Sequence, residues 1–229
     1  MKCLLLHRHS GILFKGVKAM KLIEQMQPIH LDALKEAGNI GAGHAATALS
    51  QLLHKKVDMS IPSVKIIPLH EAKTIMGEET LVAALYFDIS GEAPGSMFLM
   101  FQEKEASDLI YSLTGQTIHL LNGRLDPLAV SALQEAGNIL AGSYVSALAD
   151  FTSLPMHVSI PSFAVDMAGA LLDSGLIEAS EVGDYAIVID TVIGETKNSE
   201  NSTPLGQFFL LPNIEAFEKI LKSLGVRLL

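Results

Sequence analysis

Cysteine occurs once in the 229 residues, as Cys3, so the chain can form no internal disulfide and no metal site built on cysteines. A reducing cytoplasm is the expected setting. Charge is scarce at 18% against 49% apolar residues, yet no uninterrupted apolar run of about 18 residues is there to span a bilayer. Positive charge is in deficit. The net charge of −9 sets most of the surface against phosphate backbones and excludes nucleic acid as the natural partner, leaving small molecules and proteins. The basic residues Lys2, Arg8, Lys15 and Lys18 crowd an acid-free start. Residues 1–20 therefore read as a tail, disordered or added by an upstream start, and too poor in apolar sequence for a signal peptide.

Against these absences stands a repeat. Glu36-Ala-Gly-Asn-Ile40 returns as Glu135-Ala-Gly-Asn-Ile139, and Ser60-Ile-Pro-Ser63 returns as Ser159-Ile-Pro-Ser162, both at a spacing of 99. The expected organisation is one domain over 21–229 made of two related repeats, about 29–115 and 126–225. Apolar or small positions Leu34, Ala37, Gly38, Gly41, Ala45, Ala48, Leu49 and Leu52 follow helical spacing and predict a long helix over 31–54. Val57 to Pro68 reads as a strand, 71–76 as a short helix closed by Gly77, 80–89 and 96–101 as strands, and 102–114 as a helix stopped by Gly115. The second half repeats the order: helix 126–151, strand 156–165, short helix to about 172, strands 185–193 and 205–211, helix 214–224. Eight extra residues, 195–202, lengthen its hairpin. The fold class is α+β, with two pseudo-symmetric helix-strand-(short helix)-strand-strand-helix repeats, a mostly antiparallel sheet and long helices that carry the candidate sites.

Glu36 and Asn39 lie three residues apart and about 60° around the axis, opposite the apolar stripe, as do Glu135 and Asn138. Their sector is otherwise short-chained: Asp32, Gly43, Ala46, Thr47 and Ser50, and in the second helix Ser131, Gly142, Val145, Ser146 and Ala149. A solvated face usually carries long Lys, Glu and Arg, and Asn is a poor helix-interior residue. Short residues beside one Glu and one Asn would let another protein approach closely. A merely inherited polar face is the alternative. Gly38 and Gly41 fit close packing inside the fold, which leaves Gly43 to the exposed side.

Asp32-x3-Glu36-x2-Asn39-x22-Pro62 and Ser131-x3-Glu135-x2-Asn138-x22-Pro161 resemble the paired signature of the CheC, CheX and FliY family of CheY-phosphate phosphatases. The resemblance covers Leu31 to the C-terminus. It implies a chemotaxis enzyme that hydrolyses the aspartyl phosphate of the response regulator CheY at two similar sites, with Glu36, Asn39, Glu135 and Asn138 as site residues. The carboxamide of Asn39 or Asn138 suits positioning of the attacking water, because it adds no negative charge beside a phosphoryl group. Each Glu is implied to pair with a regulator lysine. The chain needs no cofactor of its own, the Mg²⁺ being held by CheY. Phosphorylated CheY and a CheD-type receptor deamidase are the implied partners. Asp32 and Ser131 read as helix caps or rim contacts, with capping favoured by residue type. Pro62 and Pro161 read as structural, steering the chain beneath each helix.

Competing signals are weaker. Gly41-Ala-Gly43-His-Ala-Ala46 satisfies a dinucleotide pattern but lies inside a helix, where that motif should open one. His44 reads as a core or rim residue, and His30, His54, His70 and His119 show no ligand spacing. The serious alternative is a non-catalytic CheY-phosphate or CheD adaptor resembling the flagellar FliM middle domain, which is similar in fold but lacks the Glu/Asn pairs.

Overall fold

The computed structural model describes residues 21, 23–117, 126–178, 185–194 and 203–226. The expected tail and the 195–202 insertion lie outside them. Helix α1 (Pro28–Leu52) begins at a proline, whose missing N–H costs nothing in a first turn. The Gln27 N–H donates to His30 Nδ1 at 2.9 Å. Its repeat, α4 (Pro127–Thr152), also starts on proline, and Asp126 caps it by accepting the Leu128 N–H at 2.9 Å. Asp32 and Ser131 therefore sit inside their helices, and the N-cap positions fall to residues five positions earlier. Both are exposed, which leaves them as rim residues.

The strand expected over 57–68 is two strands, β1 (Asp58–Ser60) and β2 (Val64–Pro68), and its counterpart splits into β5 (Met156–Val158) and β6 (Ser162–Met167). Each break falls on Ile-Pro. Proline offers no ladder N–H, and each strand pair fits four steps against three on its neighbour: Ser60 to Val64 against Val192 to Ile189, and Val158 to Ser162 against Ile89 to Tyr86. The other elements follow the pattern read from sequence: α2 (Leu69–Ile75), β3 (Leu81–Gly91), β4 (Gly95–Gln102), α3 (Glu103–Thr114), α5 (Ala168–Glu178), β7 (Tyr185–Gly194), β8 (Thr203–Pro212) and α6 (Ile214–Ser223). Gly115, at φ 73°, ends α3 in the left-handed region that glycine enters without strain.

The eight strands form one sheet in the order β1-β7-β8-β4-β3-β5, with β2 also on β7 and β6 also on β3, and every described pairing is antiparallel. Neither repeat closes its own sheet. The first repeat lends β1 and β2 to the second repeat's β7, the second lends β5 and β6 to the first's β3, and β4 meets β8 at the centre.

Period-two alternation then makes two cores. Ala83, Leu85, Phe87, Met97, Leu99, Ile187, Ile189 and Phe208 face the long helices α1 and α4, with α3 and α6 beside them. Val82, Ala84, Phe98, Met100, Val188 and Phe209 face the short helices α2 and α5, which an ion pair between Lys73 and Asp173 joins. The long helices touch backbone to backbone. A Cβ at Gly41 would lie 2.9 Å from Tyr144 Cα and 3.0 Å from the Ser143 carbonyl oxygen, so the packing role expected for this glycine is observed. Among the described residues no helix is long and apolar enough to cross a membrane.

Candidate active site

The helix faces turned away from the sheet carry the repeated pairs. Glu36, Glu135 and Asn138 are exposed and Asn39 is half-buried. A Cβ built on Gly43 or Gly142 meets nothing within 4 Å, so space is open above both helices one turn past each Asn. The strip is narrower than the wheel predicted. Ala46 and its counterpart Val145 are buried, turned under the helix by their neighbours' packing. Thr47 and Ser146 stay exposed, and so does His44, at the rim. On α4 the strip runs into an open groove of about 480 Å³ lined by Ser146, Asp150, Ser153 and His157.

The two pairs, alike in sequence, differ in what holds them. Asn39 is tied down: its Oδ1 accepts the Ile61 N–H at 2.9 Å, and its Nδ2 donates to the Lys35 carbonyl at 3.0 Å. No hydrogen bond joins the Asn138 side chain to another of the described residues. Its place as tether is taken by Gln134, the counterpart of Lys35, whose Nε2 donates to the Pro161 carbonyl at 3.1 Å.

The cause lies in the two Ser-Ile-Pro-Ser segments, which lie in opposite senses. Ile61 is 3% exposed with Pro62 outside, whereas Ile160 is 88% exposed with Pro161 buried. In the first copy Asp190 receives the Ser63 hydroxyl and gives its N–H to the Ser63 carbonyl at 3.1 Å. In the second copy the equivalent Asp88 pairs with the other serine: its N–H donates to Ser159 Oγ at 3.0 Å and its carbonyl accepts the Ser159 N–H at 2.9 Å. Choosing the first serine instead of the fourth residue turns Ile-Pro over.

Packing explains the choice. Ile61 fills the slot beside Gly38 together with Tyr144, at 3.2 and 3.3 Å from a Cβ built there. The matching slot beside Gly137 is filled by Leu85 and Phe87, with Leu85 Cδ1 only 2.1 Å from such a Cβ. No room is left for Ile160. Residue 45, the repeat's counterpart of Tyr144, is alanine, and Phe87 stands where the other half has Ile189.

An exposed carboxamide with both ends open, a carboxylate one turn earlier and clear space one turn later can receive a water and the surface of another protein. Among the described residues no group of three or more His, Cys, Asp or Glu could hold a metal ion. A family model described as CheC-like matches residues 29–66 and 128–164, the two stretches that hold the Glu/Asn pairs and the Ser-Ile-Pro-Ser turns. The CheY-P phosphatase CheC of Bacillus subtilis is 39% identical over 218 residues, which span 94% of this chain and 99% of that protein.

The chain belongs to the CheC-like family.

The flagellar motor switch phosphatase FliY of Bacillus subtilis is 30% identical to this CheC-like chain over 139 residues, 61% of the chain and 36% of the longer FliY. Two solved structures share the fold. Thermotoga maritima FliY superposes with a TM-score of 0.64 at 17% identity, covering 87% of this chain and 97% of that one. The FliM middle domain of H. pylori gives 0.60 at 12% identity, over 86% and 99%. Sequence reasoning placed the four Glu and Asn residues of this CheC-like chain opposite the apolar stripe of their helices; Glu36, Glu135 and Asn138 are exposed there and Asn39 is half-buried. It missed Gln134 and Ile160. The Lys35/Gln134 and Ala45/Tyr144 differences between the repeats were visible signs of unequal surroundings.

Proposed function

We propose that this CheC-like chain hydrolyses the aspartyl phosphate of a CheY-type response regulator, using Glu36 with Asn39 and Glu135 with Asn138. The observation that carries the reading is the Glu/Asn pair repeated on both long helices, exposed except for the half-buried Asn39, each beside open space left by a glycine. The carboxamide oxygen accepts a hydrogen bond from a water and aims it at phosphorus. The P–O bond to the aspartyl carboxylate breaks as the new one forms, releasing the regulator and inorganic phosphate. Such a reaction depends on alignment and charge stabilisation, so one orienting amide is worth about 10- to 1000-fold over the regulator's own hydrolysis. Glu36 and Glu135 dock the partner by facing a lysine on its surface, a contact that would repel if placed at the phosphoryl group itself. In this reading the Mg²⁺ is held by the regulator's acidic pocket. Binding of a CheD-type deamidase is part of the same proposal, and co-purification tests it.

The test is loss of phosphate from a phosphorylated CheY-type regulator with the chain added in catalytic amounts. The wild type shortens the phosphorylated lifetime, and Asn39→Ala with Asn138→Ala restores the intrinsic one. A double variant as active as wild type removes the site assignment. The similarity of fold to the FliM middle domain keeps the adaptor reading in play. It wins if the chain binds the phosphorylated regulator without shortening its lifetime.

A further inference from the structure

We infer that Ile160 is an apolar docking contact for the phosphorylated regulator at the second site, and that the first site has no equivalent. The inference rests on the phosphatase reading above.

Isoleucine at 88% exposure is unusual for a residue so firmly held. Both its flanks are fixed. The Ser159 N–H donates to the Asp88 carbonyl at 2.9 Å and Ser159 Oγ accepts the Asp88 N–H at 3.0 Å, while the Pro161 carbonyl is held by Gln134 Nε2 at 3.1 Å. Gln134 belongs to the same helix as Glu135 and Asn138 and precedes Glu135 directly. The side chain is therefore presented on a fixed backbone at the edge of the second site, with little conformational freedom left to lose when something covers it. In the first copy the same residue is sunk beside Gly38 and its N–H is spent on Asn39. The isoleucine is turned outward in the repeat whose Asn bonds to no other described residue, and inward in the repeat whose Asn is tethered.

The occupant is the regulator rather than a second copy of this chain, because the Ile160-Pro161 turn is bonded to Gln134, the neighbour of Glu135 on the helix that the regulator must cover during turnover. A few residues of an interface carry most of its binding energy. Covering Ile160 should tighten the encounter about tenfold, which corresponds to about 1.4 kcal/mol.

The experiment measures phosphate release against regulator concentration in single-site chains. In an Asn39→Ala background, where the second site alone turns over, Ile160→Ser raises KM about tenfold with kcat within a factor of two, and Ile160→Val restores most of the affinity. In an Asn138→Ala background, where the first site alone turns over, Ile160→Ser leaves KM where it was. Equal KM for Asn39→Ala with and without Ile160→Ser overturns the inference while leaving the phosphatase reading intact. No turnover by either single-site parent overturns the reading itself. An Ile160→Ser chain that changes from dimer to monomer in light scattering at unchanged KM also overturns it, since the occupant is then a second copy.

Discussion

Substituting the two asparagines by alanine should separate a structural from a chemical role. Asn39 Oδ1 is the acceptor for the N–H of Ile61, a residue 3% exposed. Removing it strands a buried donor, which costs about 1–3 kcal/mol. Asn138 is exposed and bonded to no other described residue, and such surface positions stay within about 0.5 kcal/mol. For a domain of this size each kcal/mol moves the melting temperature by about 2–4 °C, so Asn39→Ala should melt about 2–12 °C below wild type, and Asn138→Ala within about 2 °C of it. Scanning calorimetry measures both. The design includes Asn39→Asp, because a carboxylate still accepts the Ile61 N–H although it can no longer donate to the Lys35 carbonyl. Its melting temperature should fall between those of Asn39→Ala and wild type, while its charge, brought up to a phosphoryl group, abolishes turnover at the first site. Equal melting temperatures for the two alanine variants would refute the proposed asymmetry of the tethers. In an Asn138→Ala background, turnover by Asn39→Asp at the rate of Asn138→Ala alone would refute the neutral-amide argument.

Three further outcomes follow from single side chains. Gly41→Ala drives a methyl into Tyr144 Cα and the Ser143 carbonyl and should cost about 1–3 kcal/mol in urea unfolding. Gly43→Ala enters open space and should gain up to about 1 kcal/mol of helix propensity, yet raise KM for the regulator by filling the strip it approaches. The Tyr144 hydroxyl is buried without a partner among the described residues, and burial pushes its pKa up. Tyr144→Phe keeps the ring stacked on Phe208 at 5.9 Å and should raise the melting temperature by about 2–4 °C, relieving about 1 kcal/mol of desolvation. Burial also raises the pKa of Glu105, outweighing the opposing hydrogen bond from the Gln102 N–H. The folded state then holds that proton more tightly than the unfolded chain, so this contribution to stability is present at low pH and lost as pH climbs from the ordinary carboxylate range through the raised value. Glu105→Gln, which can still accept the Gln102 N–H, should flatten that part of the stability profile; an unchanged slope in urea titrations across mildly acid pH counts against it.

Much of the molecule was legible in the sequence because the signals are local or repeated. Helical spacing located α1 and α4, alternation located the hairpin strands, Gly115 marked an end, and an identical pentapeptide 99 residues apart placed a Glu/Asn pair twice on faces free of apolar residues. Those features depend on periods of 3.6 and 2 that any window of the chain displays. Three others depend on residues far apart. The N-cap positions fall to Gln27 and Asp126 rather than Asp32 and Ser131, because capping is decided by backbone geometry as well as residue type. The exchange of β1 and β2 for β5 and β6 between repeats is a matter of strand pairing, on which side-chain alternation is silent. The opposite seating of two identical Ser-Ile-Pro-Ser segments was settled by what fills the slot beneath each helix: Ile61 with Tyr144 at Gly38, Leu85 with Phe87 at Gly137. The sequence by itself located the two Glu/Asn pairs that form the candidate sites. Only the tertiary structure decided that one asparagine is bound to its own backbone and the other left open, because close packing admits one occupant to each slot and turns the other outward.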